Sequence, residues 1–336
     1  MIDLTTSYLG LRLTGPVIAS AGPLTGRVED LLQLEAAGAS AAVLPSLFEE
    51  EVLAEELSLQ QAQARGVPSS GQRVGRLPYA DLYTPGPERH VRLVEEAKQR
   101  LSIPVIASVN AAHAGSWERY AALMADAGAD AIELNIYTMA TDPMRSAADV
   151  EADYLDIISR TRAAVQVPLT VKMSPYFSSL PHLAAQAVQA GADGLVLFNR
   201  YYQPRLNLAT MAATPTMQMS ISNDLRLPLR WLAILRPQLP GTSLAVSSGV
   251  DSVRDLVTAL LIGADVACMT SAVLRQGPEH VKDVLDGLAA CLVENDYESL
   301  AELQGVAIAA VDDDPASRDR ADYVAALSRF QPTAQP

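Results

Sequence analysis

Four times along this chain a helical pattern ends in nearly the same four residues and runs directly into a short apolar stretch. The four are Ala37-Gly38-Ala39-Ser40, Ala127-Gly128-Ala129-Asp130, Ala190-Gly191-Ala192-Asp193 and Ile262-Gly263-Ala264-Asp265, followed by apolar runs at 41–44, 131–136, 194–198 and 266–269. Glycine takes the left-handed conformation that ends a helix, and small neighbours allow a tight turn into a buried strand. Three more apolar runs are introduced by a proline, at 104–108, 168–173 and, after Pro240, 243–247. With the run at 17–20 behind Gly15-Pro16, the strands number eight. They alternate with helical patterns at 116–127, 149–165, 181–190, 226–237, 251–262 and 278–293. Eight such units predict a parallel (β/α)8 TIM barrel, whose functional groups gather at the strand C-terminal ends. A doubly wound open sheet is the competing arrangement, but no Gly-x-Gly-x-x-Gly follows the first strand.

A chain of 336 residues fits one barrel with a single large core, here assigned to residues 1–310. Residues 1–14 alternate around Tyr8-Leu9-Gly10-Leu11-Arg12-Leu13 and predict a β-hairpin turning at Gly10 and plugging one end of the barrel. The one long insertion, 47–90 after the second strand, is expected to cap the barrel mouth as a lid. Residues 311–336 form a C-terminal segment whose last six residues are expected to be disordered.

The net charge of −14 repels phosphate backbones and anionic lipid, and the sequence holds no basic patch to offset it. Neither a nucleic-acid nor a membrane partner is expected. No apolar run reaches the roughly 18 residues of a membrane span, and the N-terminus has no basic, signal-like start. Two cysteines, Cys268 and Cys291, are too few for a disulfide framework and fit a reducing cytoplasm. His90, His113, His182 and His280 show no metal-ligand spacing, so no metal is expected and all four are read as surface or capping residues. The run Glu49-Glu50-Glu51 is read as a solvated face, and Cys268 as inert core.

Lys172 stands apart. The chain has three lysines, and Lys98 and Lys282 lie on polar helical patterns, whereas Lys172 interrupts a buried strand, Pro168-Leu169-Thr170-Val171-Lys172-Met173. A cation there needs either a carboxylate, Glu133 being available, or a polar cavity near the strand's end. The other strand ends carry Ser20-Ala21-Gly22, Pro45-Ser46, Ser108-Val109-Asn110, Asn135-Ile136-Tyr137-Thr138, Asn199-Arg200, Ser247-Ser248-Gly249 and Thr270-Ser271. The last two sets offer small side chains and backbone N–H groups where such barrels hold phosphate, so a phosphate-bearing cofactor is expected at Ser248, Gly249, Thr270 and Ser271. Lys172 could then stabilise the negative charge that a flavin's pyrimidine edge acquires on reduction, or form a Schiff base. Spacing alone leaves both open.

In order along the chain, Tyr8-Leu9-Gly10-Leu11, Gly15-Pro16-Val17-Ile18, Ser20-Ala21-Gly22, Glu133-Leu134-Asn135, Val171-Lys172 before Pro175-Tyr176, Asn199, Ser248-Gly249-Val250 and Gly277-Pro278 resemble the dihydroorotate dehydrogenase family of FMN-dependent barrels. The resemblance runs from the hairpin to about residue 308. It implies noncovalent FMN with Lys172 at the ring, Asn135 between flavin and substrate, and phosphate at Gly249 and Thr270-Ser271. The full set of expected cofactor contacts is Ser20, Ala21, Gly22, Asn110, Asn135, Lys172, Asn199, Ser248, Gly249, Thr270 and Ser271. The implied reaction is hydride transfer between dihydroorotate, or a related small heterocycle, and flavin N5, in pyrimidine biosynthesis. Lys172, Thr138 and Asn135 are its catalytic residues.

The departures from the family pattern bear on the substrate. Where the family reads Asn-x-Ser-Cys-Pro-Asn or a Ser-Ser-Pro-Asn form, this chain reads Asn135-Ile136-Tyr137-Thr138-Met139-Ala140. Thr138 therefore falls at the base position and Ala140 replaces a substrate-binding asparagine. The family's orotate-side lysine falls near Pro45, and its Asn-rich lid has become Asp81-Leu82-Tyr83-Thr84-Pro85-Gly86. FMN binding survives this comparison better than dihydroorotate oxidation. The alternatives are a Schiff-base lyase using Lys172 and a non-catalytic flavin-binding barrel acting as an interaction subunit. The partners implied are a small-molecule substrate, an electron acceptor or redox partner that the chain does not identify, and a second copy in a homodimer.

Overall fold

The computed structural model describes residues 2–54, 87–111, 117–202, 204–214, 216–308 and 315–329. The chain opens with β1 (Thr6–Tyr8) and β2 (Leu11–Leu13), an antiparallel hairpin turned by Leu9 and Gly10, both at positive φ. Then follow β3 (Val17–Ala19), β4 (Ala41–Val43), the short β5 (Leu47–Phe48), β6 (Val105–Ala111), β7 (Ala131–Ile136), β8 (Leu169–Met173) and β9 (Gly194–Leu197). After a second hairpin, β10 (Arg205–Asn207) and β11 (Ala212–Thr214), come β12 (Ser243–Ser247) and β13 (Val266–Met269). Eight strands close on themselves in the order β3, β4, β6, β7, β8, β9, β12, β13, every pair parallel. Helices α1 (Val28–Ala36), α2 (Glu88–Arg100), α3 (Trp117–Asp126), α4 (Ala147–Ala164), α5 (Leu180–Gln189), α6 (Arg226–Leu235), α7 (Val253–Leu261), α8 (Ser271–Gln276) and α9 (His280–Glu294) lie between and after them. The predicted (β/α)8 barrel is the observed architecture.

The pleat sorts the strand residues. Outward positions such as Leu169, Val171 and Met173 join the large core beneath the helices, while Ile18, Val43, Ile106, Ala131, Val196 and Val266 fill the barrel's interior. The hairpin's Tyr8, Leu9 and Leu13 complete that inner cluster. The Tyr8 hydroxyl shares a 3.1 Å hydrogen bond with Thr170 Oγ1, Leu9 N–H donates to Ser243 Oγ and Thr6 Oγ1 donates to the Asp265 carbonyl. All three partners lie within one residue of a strand start, so the hairpin plugs the N-terminal end and leaves the opposite end open.

The repeated tetrapeptide has a double physical reason. Gly38, Gly128, Gly191 and Gly263 have φ between 93° and 115°, the left-handed conformation that ends the preceding helix. The aspartates that follow then accept the N–H of an adjacent strand's first residues: Asp130 from Val105 at 2.7 Å, Asp193 from Leu169 at 2.8 Å and Asp265 from Leu244 at 2.6 Å. Each aspartate also pairs with a basic side chain, respectively Lys98, Arg162 and Arg236. A methyl at Gly191 would lie 2.4 Å from Arg162 Cγ, so this glycine also makes room for the stem of the arginine that the aspartate binds.

Two elements were not expected from the sequence, and one expected element lies mostly outside the described residues. Of the stretch 47–90 expected as a lid, residues 55–86 lie outside the described residues; its ends are β5, a helical segment at 49–54 and the start of α2. A further excursion, β10–β11, follows the sixth barrel strand, where two three-residue strands are too short to give a periodic signal. The C-terminal segment includes a helix, α11 (Pro315–Ser328), preceded by the four-residue α10 (Leu300–Leu303); the last six residues lie outside the described set. Among the described residues no helix is long and apolar enough to cross a membrane.

Candidate active site

A cavity of about 770 Å³ opens at the barrel's unplugged end. Each barrel strand contributes to its wall at or just past its C-terminus: Ser20 after β3, Pro45 after β4, Asn110 in β6, Asn135 in β7, Lys172 in β8, Asn199 after β9, Ser247 in β12 and Thr270 after β13. All eleven residues expected to contact a cofactor line this one space. They come together because parallel strands of similar length start at one level and so end at one level.

Lys172 forms part of the floor. Its Nζ lies 3.5 Å from Glu133 Oε1; Lys172 is 8% exposed and Glu133 1%. Glu133 is not part of the cavity wall, so the ammonium stands between the carboxylate and the open space. The carboxylate and the cavity, alternatives in the sequence, are both present. Beside the lysine, Asn199 Nδ2 donates to Asn135 Oδ1 at 2.5 Å, which fixes the two amides against each other. Ser46, past the end of β4, and Ser108, midway along β6, share a 2.7 Å hydrogen bond. Cys268 also reaches the cavity, and burial pushes its thiol up to about 12, so it stays protonated and chemically quiet.

The rim after β12 and β13 is built for close backbone approach. Ser248 and Gly249 both have positive φ, 75° and 83°. A methyl on Gly249 would sit 2.4 Å from Leu225 N and 2.8 Å from Ile221 O, so the loop can lie against the 3₁₀ turn Ser222–Leu225 only with glycine there. Across from it, a methyl on Gly22 would meet Thr270 Cγ2 at 2.6 Å, while Thr270 Oγ1 donates to the Ser20 carbonyl. Ser271 Oγ accepts from the N–H and hydroxyl of Ser220, tying the 216–221 segment over this rim.

Thr138 does not line the cavity; its carbonyl accepts the Tyr201 hydroxyl at 3.5 Å. The neighbouring aromatic residues form a small stack, with Tyr137 and Tyr201 ring centres 4.6 Å apart and Tyr176 edge-on to Tyr201 at 5.4 Å. Tyr137 and Tyr202 face the cavity.

Sequence reading missed one group. Glu51 was expected on a solvated face and His90 at the surface, yet both are buried and hydrogen-bonded to each other. Glu51 and the neighbouring Arg89 line the cavity. The available signal was helical spacing: His90, Val94 and Ala97 share the buried face of α2. Of the other histidines, His280 Nε2 lies 2.8 Å from the Asp251 carbonyl, and His113 lies outside the described residues. Among the described residues no cluster of histidine, cysteine, aspartate and glutamate could hold a metal ion.

A closed (β/α)8 barrel with an ammonium, paired amides and small hydroxyls on the floor of a deep cavity is an enzyme scaffold suited to a flat, hydrogen-bonding ring. A family model described as dihydroorotate dehydrogenase matches residues 82–292, and the chain belongs to that family, whose members are oxidoreductases acting on CH–CH bonds. The chain is 26% identical over 317 residues to the dihydroorotate dehydrogenase B (NAD(+)) catalytic subunit of Methanothermobacter thermautotrophicus, covering 90% of this chain and 98% of the relative. It is 24% identical over 312 residues to the protein of the same name from Thermoplasma acidophilum, covering 92% and 100%. It is also 27% identical over 220 residues to the NAD-dependent dihydropyrimidine dehydrogenase subunit PreA of Escherichia coli, covering 60% of this chain and 53% of that one.

Proposed function

We propose that the chain is an FMN-dependent oxidoreductase that transfers hydride between dihydroorotate, or a related small dihydropyrimidine, and flavin. The observation that carries this reading is Lys172, a buried ammonium at the floor of a cavity of about 770 Å³, with the Asn135–Asn199 pair beside it. The donor chemistry fits the group. A cation and two amides suit the pyrimidine edge of an isoalloxazine, and the loops after β12 and β13, with small residues and positive-φ backbone, suit a phosphate. The volume is that of a ligand pocket for a molecule of this size.

When bound, FMN supplies the redox chemistry by accepting or giving hydride at N5. Lys172 would place positive charge where the reduced ring carries negative charge, in a site shielded from water, where electrostatic stabilisation is strongest. Asn135 and Asn199 would orient ring and substrate. Gly249, Thr270 and Ser271 would hold the phosphate, with Ser20, Ala21, Gly22, Asn110 and Ser248 around the rest of the cofactor. Thr138 keeps the role proposed from its position only if its hydroxyl reaches the cavity when substrate binds. The same proposal covers a cytoplasmic enzyme of pyrimidine metabolism, its barrel domain spanning residues 1–310, acting as a homodimer and reoxidised by a diffusing acceptor or a separate redox protein.

One observation favours a second substrate, a neutral dihydropyrimidine without a carboxylate. Pro45 lines the cavity where a lysine facing the orotate carboxylate would be expected, and Ala140 is exposed and offers no hydrogen bond from its side chain. Purified protein tests both readings. Flavin absorbance released on denaturation is expected, and anaerobic dihydroorotate should bleach it. Bleaching by dihydrouracil alone would select the neutral substrate, and colourless protein that rejects FMN would end the proposal. Covalent trapping by borohydride in the presence of a carbonyl compound would move Lys172 to Schiff-base chemistry.

A further inference from the structure

Glu51 and His90 stand at the two ends of the 47–90 stretch, yet their side chains meet. His90 Nε2 lies 3.3 Å from Glu51 Oε2, and the two residues are 4% and 5% exposed. Phe48 N–H donates to the other oxygen, Oε1, at 3.4 Å, in the manner of a turn-capping carboxylate. Capping alone requires neither burial nor an imidazole, and removing both groups from water is costly unless they are paired. Glu51 also faces the cavity. So does Arg89, whose Nε is 3.9 Å from Glu51 Oε2. Among the described residues lining the cavity, Glu51 is the only carboxylate. β5 places it there: Phe48 pairs with Asn110 on β6, so the turn that carries Glu51 begins at the cavity rim.

We propose that Glu51, held by His90, is the proton acceptor of this enzyme, an assignment that rests on the redox reading above. The substrate carbon next to its carbonyl gives its proton to a Glu51 oxygen, and the electron pair of that C–H bond becomes the new C=C bond. The adjacent carbon gives up its hydride to the flavin, which is the oxidant. Carboxylates in shielded sites serve as bases toward carbons of this kind. The His90 Nε2–H, donating to Oε2, holds the carboxylate in place; Glu51 gives the proton up to solvent once product has left, and Arg89 presents its guanidinium to a polar group of the substrate. The role left open by Thr138, whose side chain is not on the wall, falls to a residue that is.

The test uses the full-length, FMN-loaded protein. Glu51→Gln keeps the shape and an acceptor for Phe48 N–H but removes the basic oxygen. It is expected to bind FMN and to shift flavin absorbance with orotate or uracil as the wild type does, with the same melting midpoint. Anaerobic bleaching by the dihydropyrimidine that reduces the wild type should fall about 100-fold or more. His90→Gln should slow bleaching less and move its pH profile. Bleaching of Glu51→Gln at the wild-type rate overturns the assignment. So does a Thr138→Ala variant that loses bleaching where Glu51→Gln keeps it. Loss of FMN and a lowered melting midpoint in Glu51→Gln would make the pair structural and likewise overturn it. A flavin-loaded wild type that no dihydropyrimidine bleaches would remove the redox reading itself, and this assignment with it.

Discussion

Lys172 Nζ lies 3.5 Å from Glu133 Oε1 inside the barrel, with the carboxylate sealed from solvent and the ammonium at the cavity floor. The pair links stability to chemistry, and the two contributions can be separated. Lys172→Met leaves a buried carboxylate without its partner and is expected to destabilise the fold by about 3–5 kcal/mol. Adding Glu133→Leu should restore most of that, because an apolar pair of similar volume carries no desolvation cost. Flavin reduction should stay about 100-fold down in the double variant. Urea midpoints and anaerobic stopped-flow spectra check the two halves; full recovery of reduction would make the lysine purely structural.

Two glycines should fail in different ways. Gly191→Ala drives a methyl into the Arg162 stem at a φ of 115°, far from the cavity, and is expected to cost more than about 1 kcal/mol of stability with flavin affinity unchanged. Gly249→Ala drives its methyl into the backbone of Leu225 and Ile221 and should displace the rim proposed to hold phosphate. Its expected signature is weaker FMN binding, by fluorescence titration, with a smaller change in melting midpoint.

The two thiols should differ sharply. Cys268 is pushed up to about 12 by burial, whereas Cys291 is half-buried on α9, so a thiol reagent at pH 8 should label Cys291 in the native protein and both cysteines in urea. The same shift has a consequence at high pH. Between about pH 9 and 12 the unfolded chain releases the Cys268 proton and the folded chain retains it, so stability falls as pH rises through that window. Buried Tyr8, also raised by desolvation, adds to the loss above pH 10. Cys268→Ala should flatten the first part of the decline, measured as urea midpoint against pH.

Tyr8→Phe removes the hydroxyl that meets Thr170 at the plugged end. The expected cost is about 1–2 kcal/mol, from a buried hydrogen bond broken at one partner. Flavin binding at the other end of the barrel should not change, and a matching loss of flavin would show that the plug and the site are coupled.

Much of this protein could be read in its residues. The recurring Gly-Ala marks four helix ends because glycine readily takes the required backbone conformation, and at three of them the aspartate that follows answers an N–H at a neighbouring strand's start. The lone strand lysine marks the cavity because hydrocarbon does not tolerate an unpaired cation. Those signals are short-range, acting through backbone conformation and solvation near a strand end, and the eight strand-helix units that they help to mark close into the parallel barrel. What they could not reveal was which distant groups would meet. Glu51 and His90 lie far apart in sequence and read as surface residues singly, and only the closure of the barrel brings β5 and α2 together and withdraws both side chains from water. Thr138 illustrates the reverse, a residue given a role by its place in a motif whose side chain the folded chain sets off the cavity wall. Local pattern determined the scaffold because it acts through backbone geometry; long-range packing decided the chemistry of the wall because burial and pairing exist only once the chain has closed.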